Sequence, residues 1–257
     1  MRAKKREYLL PGILSAAVLV PVFYMAACSF AGDESPGFSL MGYYTVLFSE
    51  PGYLLRFWRS LAMCGVIAAG QSLTGCMGGA AIAKYRFAGS KVLAICMAVF
   101  MILPVQATLL PNYIFLDRLH LLNSWWALIL PGIFAPFGTV WMAFAFRAIP
   151  GEVSEAAEMD GAGMLSHVFH ILIPAARPAV ITLFVLSFVE SWNMVEQPVT
   201  FLKGVRQYPM SVFLASIDID RLSVQAVCGI LCLAPVTFLF FYYQQELLDG
   251  IGESIWS

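Results

Sequence analysis

Of 257 residues, 60% are hydrophobic and only 12% are Asp, Glu, Lys or Arg, against roughly a quarter in ordinary soluble domains, which excludes a soluble globule. Lys plus Arg number 15 and Asp plus Glu 16, a formal net charge of -1. That balance offers no general surface to a polyanion, so no nucleic-acid partner is expected.

The spacing of the charges sets the class, because a bilayer core about 30 Å thick is crossed by a helix of about 20 mostly apolar residues. A basic cluster at 2–6 precedes a charge-free stretch at 8–32. Met25-Ala26-Ala27-Cys28 loosely resembles a lipoprotein processing site. The stretch is nevertheless read as a retained first span, since it is too long for a signal h-region and further apolar spans follow it. The largest external loop, about 31–53, comes next. The second stretch, 60–83, contains Gly75-Cys76-Met77-Gly78-Gly79, whose glycines four apart let another helix approach closely. Charge-free stretches at 92–116 and 119–146 follow, then a long polar segment at 147–177. A stretch from 178 to about 200 carries Glu190 and Glu196 inside it and reads as a span with a polar stripe. The last charge-free stretch is 222–245.

Backbone groups in lipid must be satisfied within the chain, so each span is predicted to be a helix and the fold all-α: a polytopic membrane protein with six transmembrane helices. Six spans put both termini on one side. With the N-terminus inside, Arg2, Lys4, Lys5, Arg6, Lys84, Arg86, Lys91, Arg147 and Arg177 lie inside, nine basic residues against the six at Arg56, Arg59, Arg118, Lys203, Arg206 and Arg221. The excess favours cytoplasmic termini. All six cysteines fall within predicted spans, and Cys228 and Cys232, one turn apart, have no His or acid beside them, so they read as packing residues and no metal is expected.

The 147–177 loop is too long and too patterned for a simple connection. After Pro150 the acid-rich stretch through Asp160 predicts a short helix, with Ser154 as a possible N-cap, Glu155 and Glu158 in or near the first turn, and Gly161-Ala162-Gly163 at its end. Leu165, Val168, Phe169, Leu172 and Ile173 then recur at helical spacing up to Pro174. The predicted shape is a helix-turn-helix at the membrane surface with a small face at Ala156 and Ala157. His167 and His170 near Glu155, Glu158 and Asp160 are conceivable metal or general-base partners, but the preferred reading is the polar face of a cytoplasmic helix. No Ser/His/Asp set emerges, and no G-x-x-x-x-G-K-[ST] occurs, so the chain is not expected to be an enzyme or to cradle nucleotide phosphates itself.

Glu155-Ala156-Ala157, then Gly161, then Ile171 and Pro174, with Ile173 for the usual Leu, resembles the EAA loop of permease subunits of type I ATP-binding-cassette importers. Arg86-Phe87-Ala88-Gly89, Leu103-Pro104, Leu110-Pro111, Ile149-Pro150, Trp192-Asn193 and Pro198 are similar to the carbohydrate-importer branch. Met194 departs from a frequent Asp, and the tail from 244 to 257 is acidic where the family is commonly basic. The resemblance covers about 57–250. It divides the chain into 1–56 (N-terminal segment, first span and external loop), 57–250 (the permease domain with its coupling loop at 147–177) and a 251–257 tail.

The resemblance implies a subunit of a bacterial or archaeal cell membrane that forms half of a pathway for a sugar, oligosaccharide or polyol. Its implied partners are a second, homologous but non-identical permease, two cytoplasmic ATPase subunits that hold ATP and Mg, and an external solute-binding protein. Glu155, Ala156, Ala157, Asp160 and Gly161 would couple the chain to an ATPase. At about 100° per residue Ser187, Glu190, Asn193 and Gln197 share one third of a continuous fifth helix. Glu190, Asn193 and Gln197 are therefore candidates to line the pathway or to form an interhelical network. The competing class is a secondary transporter using Glu190 as a proton or cation site; such folds often show paired broken helices in two repeated halves, and the sequence shows no such internal repeat.

Overall fold

The computed structural model describes residues 2–32, 37–85, 87–204, 207–218 and 221–256, apart from the side chains of 2–14 and 251–256. Arg86 and Arg206, both counted in the charge balance, and the basic side chains at 2–6 lie outside what is described. Among the described residues the regular structure is helical, and the one extended pairing is an isolated antiparallel bridge between Ala31 and Phe38.

The chain forms two compact units. One contains residues 1–58 and 213–235. It begins with α1 (Arg2–Cys28), and α2 (Met41–Tyr44) continues into a π-helical turn at Thr45–Ser49. Between them Phe30 stacks on Phe38 at 5.4 Å and Ser29 Oγ lies 2.9 Å from Tyr43 Oη. The first turns of α3 (Pro51–Lys84) and the first part of α14 (Leu222–Tyr242) complete this unit. Arg56 stacks 3.8 Å over the Phe213 ring, and Arg221 pairs with Glu50 at 2.7 Å. Both members of that ion pair are nearly half exposed, so it adds little stability.

The other unit contains residues 59–212 and 236–257. Its elements are the rest of α3, then α4 (Ser90–Ile102), α5 (Val105–Arg118), α6 (Trp126–Ile133), α7 (Pro136–Ala148), α8 (Gly151–Met159), α9 (Met164–His167), a π-helical turn (Val168–Leu172), α10 (Ile173–Ala175), α11 (Arg177–Trp192), α12 (Glu196–Phe201), α13 (Met210–Phe213) up to Val212, the end of α14 from Val236, and α15 (Gln244–Trp256). The core joins α3, α7 and α11 through Cys76, Ala80, Met142, Phe146, Ala179 and Leu183, with Val168 and Leu172 of the π turn wedged among them. The glycine run read as a packing signal sits at this crossing. A Cβ on Gly75 would stand 2.8 Å from the Gly138 carbonyl carbon, and one on Gly79 2.8 Å from the Ala143 nitrogen. Helix ends are satisfied by side chains from neighbours: the break after α6 frees the Ile133 carbonyl, which accepts from Thr74 Oγ1 at 2.7 Å. α15 lies along α11, where Thr182 Oγ1 donates to the Glu246 carbonyl and Gly250 packs on Thr182.

Among the described residues, three helices are long and apolar enough to cross a bilayer: Pro51–Lys84, Trp126–Ala148 and Leu222–Tyr242. Five spans result if Ser90–Ile102 with Val105–Arg118, bent by 108°, and Met164–Ala175 with Arg177–Trp192, bent by 87°, count as one each. In α1 the apolar portion with described side chains is Ser15–Cys28. The stretch at 92–116 is thus not the straight crossing its composition suggested. Pro104 disfavours the helical conformation in the residue before it, and Leu103 is extended at φ -64°, ψ 133°.

The expected continuous fifth span is also overturned. α11 ends at Trp192, Asn193 is its C-cap, and α12 starts afresh at Glu196. Pro198 gives the reason. In an unbroken helix it would leave the Met194 carbonyl without a donor and press on it, whereas in the first turn of a new helix its missing N–H costs nothing. The freed Met194 carbonyl accepts from Ser211 Oγ at 2.8 Å.

Candidate functional site

Ile149 is extended at φ -71°, ψ 128°, as a residue before proline prefers, and so turns the chain out of α7. α8 then begins at Gly151 with Pro150 at the cap position. The start lies three residues earlier than Ser154, which is inside the helix with its Oγ buried and without a partner. Glu152, rather than Glu155 or Glu158, occupies the first turn, where it complements the positive end of the helix dipole. The other end is a Schellman motif. Gly161 N–H donates to the Glu158 carbonyl and Ala162 N–H to the Ala157 carbonyl, both at 3.0 Å, with Gly161 at φ +76°.

Of the residues singled out on α8, only Ala157 is buried, at 4% exposure. Glu155, Ala156, Asp160 and Gly161 are exposed, and Met159 is 88% exposed. The helix therefore rests on its own chain through small side chains, Ala157 and the half-buried Ser154, and presents a mixed acidic and apolar surface outward. Beside it an open groove of about 530 Å³ is lined by Lys84, Lys91 and Arg147 and by Glu155 and Glu158, among others. The loop is held at both roots. Lys84 Nζ donates to the Ile149 carbonyl at 2.6 Å, and Tyr85 Oη lies 3.0 Å from His167 Nδ1. Burial, and after it the Glu158 carboxylate, pushes the Tyr85 phenol above its ordinary range, so it remains a neutral hydroxyl at pH 7.

His167 does not lie on the polar face expected of it. It is 4% exposed, while His170 is exposed and contacts the Ser166 carbonyl at 3.2 Å. Helical turns run on through Pro174 to Ala175, and the buried positions are His167, Val168 and Leu172, with Leu165 and Phe169 exposed. No group of three or more His, Cys, Asp or Glu that could hold a metal occurs among the described residues.

The polar residues of α11 divide between two faces. Glu190 and Asn193 are exposed together with Leu186, three and four residues apart. Ser187 points inward at 1% exposure, with its Oγ unpartnered. Gln197 is half-buried on α12, beyond the break. A carboxylate on the open face of an apolar span needs protein or water against it, since lipid contact there costs several kcal/mol. A pairing that sequence reasoning missed lies next to the break: Gln106 Nε2 donates to Glu196 Oε1 at 2.6 Å, and Glu196 Oε2 is buried without a partner. Its one sequence signal was the coincidence of Gln106, just after Leu103-Pro104, with an acid inside another span.

Apolar helices bent at prolines, an acid on the open face of one and a short helix presented outside them define a multi-pass α-helical membrane protein. Residues 72–249 match the model of the family described as "Binding-protein-dependent transport system inner membrane component", and the chain belongs to that family. It is 25% identical over 257 residues to the maltodextrin transport system permease protein MdxG of Bacillus subtilis, covering 95% of this chain and 92% of the relative. It is also 25% identical over 209 residues to the arabinooligosaccharides transport system permease protein AraQ of Halalkalibacterium halodurans, covering 80% and 75%. The fold matches a chain from the crystal structure of a bacterial ABC transporter involved in the import of the acidic polysaccharide alginate, with a TM-score of 0.79 and 23% identity over 94% of this chain and 95% of that one.

Proposed function

We propose that this chain forms half of the transmembrane pathway of an ATP-binding-cassette importer for a sugar, oligosaccharide or polyol, and that it receives movement from a cytoplasmic ATPase through α8. The observation that carries this reading is α8 itself: Glu155-Ala156-Ala157 on a helix whose one fully buried residue is Ala157, closed by Gly161 and exposing Met159. The cargo class is supported by relatives whose names specify maltodextrin and arabinooligosaccharides.

In this reading Glu155, Ala156 and Asp160 enter a groove on the ATPase, Ala157 seats the helix and Gly161 sets its exit. Closure of two ATPase subunits on ATP and Mg then switches the helices between inward-facing and outward-facing states, while an external solute-binding protein delivers the cargo. The exposed face at Glu190 and Asn193, with Gln197 beyond the break, lines the pathway or meets a second, homologous permease. Uptake by proteoliposomes carrying the complete complex is expected to require ATP hydrolysis and the binding protein. Uptake driven by a pH gradient without ATP would overturn the reading in favour of a secondary transporter using Glu190.

The proposal includes six spans with both termini cytoplasmic, α1 supplying the sixth, as the nine-to-six basic distribution favours. Single cysteines at Ser90 and Gly204 in a cysteine-free chain are then expected to react with an impermeant thiol reagent from opposite sides, Gly204 from outside. Labelling of both from outside is the result that defeats this topology.

A further inference from the structure

Lys84 and Tyr85 are consecutive residues at the end of α3, and they reach the two roots of one loop. Lys84 Nζ holds the Ile149 carbonyl at 2.6 Å before α8, and Tyr85 Oη meets His167 Nδ1 at 3.0 Å after it. The Tyr85 and His167 rings also pack edge to face with centroids 6.1 Å apart. The segment 150–166 hangs between these ties, and α8 within it buries only Ala157. His167 is 4% exposed and its Nε2 has no partner, so the tyrosine contact is what offsets the desolvation of that ring. A charged donor on a backbone carbonyl is the stronger kind of hydrogen bond. Just beyond the second tie, Val168 and Leu172 are locked into the core with Cys76 and Ala80 of α3.

We propose that Lys84 and Tyr85 are positioning residues that clamp both roots of the loop to the end of α3, so that a displacement of α8 is passed to that helix as a rigid movement instead of being absorbed by bending of the loop. The proposal rests on the reading of α8 as the element that an ATPase moves. With one tie lost, the chain between α8 and the packed core at that root would bend, and ATP hydrolysed by the partner would no longer be fully matched by movement of α3. The clamp uses no residue of the Glu155-Ala156-Ala157 surface itself; Lys84 also lines the groove beside Glu155, so Lys84→Arg, which keeps the charge there, is the control for the docking face.

The test uses the complete complex with its ATPase subunits and binding protein in proteoliposomes, and reads cargo transported per ATP hydrolysed alongside the amount of assembled complex. Tyr85→Phe and Lys84→Met are each expected to lower that ratio about fivefold or more, the scale of one buried hydrogen bond, and Lys84→Arg to restore most of it. Tyr85→Phe also orphans His167, so the double variant Tyr85→Phe/His167→Leu separates stability from coupling. Replacing both partners by apolar groups relieves the unpaired nitrogen, so assembly is expected to recover while the ratio stays low. Recovery of the ratio in the double variant, or an unchanged ratio in both single variants while Gly161→Val lowers it, overturns the clamp and leaves the reading of α8 standing. An unchanged ratio in Gly161→Val as well overturns both.

Discussion

Replacing Gly161 with valine is expected to lower transport at least about tenfold in a complex that still inserts and assembles, the effect of roughly 1.4 kcal/mol of misplacement. Gly161 holds φ +76°, where a β-branched side chain is opposed by roughly 1–2 kcal/mol. Nothing lies within 4 Å of a Cβ built there, so the penalty comes from backbone conformation and not from crowding. Relieving it pulls Gly161 out of the left-handed region and breaks the two 3.0 Å bonds to the Glu158 and Ala157 carbonyls that end α8. The helix keeps its sequence and loses its aim. Because the penalty is conformational, the replacements should rank Asn above Ala above Val, asparagine tolerating the left-handed region best. Gly163 provides the control, since it is extended at φ -68° with open space around it, and Gly163→Ala is expected to be nearly silent. Transport and binding-protein-stimulated ATP hydrolysis measured on the purified complexes would decide the matter. Near-normal values for Gly161→Val would remove α8 from the coupling path.

Features of the fold that arise from neighbours in sequence are legible in the sequence alone. The short helix after Pro150, its glycine terminus and the close-packing role of the Gly75–Gly79 run each depend on residues within one or two turns of each other. Errors arose where a periodic pattern was carried across a proline. The polar stripe to Gln197 requires a helix that continues into Pro198, but the effect of proline on the carbonyl four residues earlier forbids it and Met194 takes a different donor. Ser154 is a possible N-cap by residue type, but Pro150 before it already stands at the cap position, and the helix opens there. What stayed hidden depends on residues far apart in the chain. His167 looked solvated on its own helix because Tyr85, its partner, is 82 residues away, and the acid at Glu196 gained its contact only when Gln106 was brought to it from 90 residues off. Periodicity along one helix carries no information about either.

The largest effect on stability is expected at Gly79. A Cβ there would stand 2.6 Å from Met142 Cβ and 2.8 Å from both the Ala143 nitrogen and the Met142 carbonyl carbon, so two of its three nearest neighbours are backbone atoms that no rotamer change can withdraw. α3 and α7 must separate to admit any side chain, and separation opens gaps around Cys76, Ala80, Met142 and Phe146, each no more than 1% exposed. In lipid no hydrophobic force restores the contact, because helix association there depends on the close fit of small residues. Gly79→Leu should therefore exceed ordinary overpacking and cost about 3 kcal/mol or more. Gly65 on the same helix has open space where a Cβ would go, and Gly65→Leu in the isolated chain should melt near the natural protein. Thermal unfolding of the two purified variants in one detergent makes the comparison, and equal midpoints would mean that the crossing is not as close as 2.8 Å implies. The crossing also bears on transport. α3 ends in Lys84, and α7 is followed at once by Ile149, the residue that Lys84 holds. On the clamp proposed above, two helices locked together at Gly75 and Gly79 and tied again at their ends would move as one lever, so Gly79→Leu chains that survive folding should also transport less cargo per ATP than their yield explains.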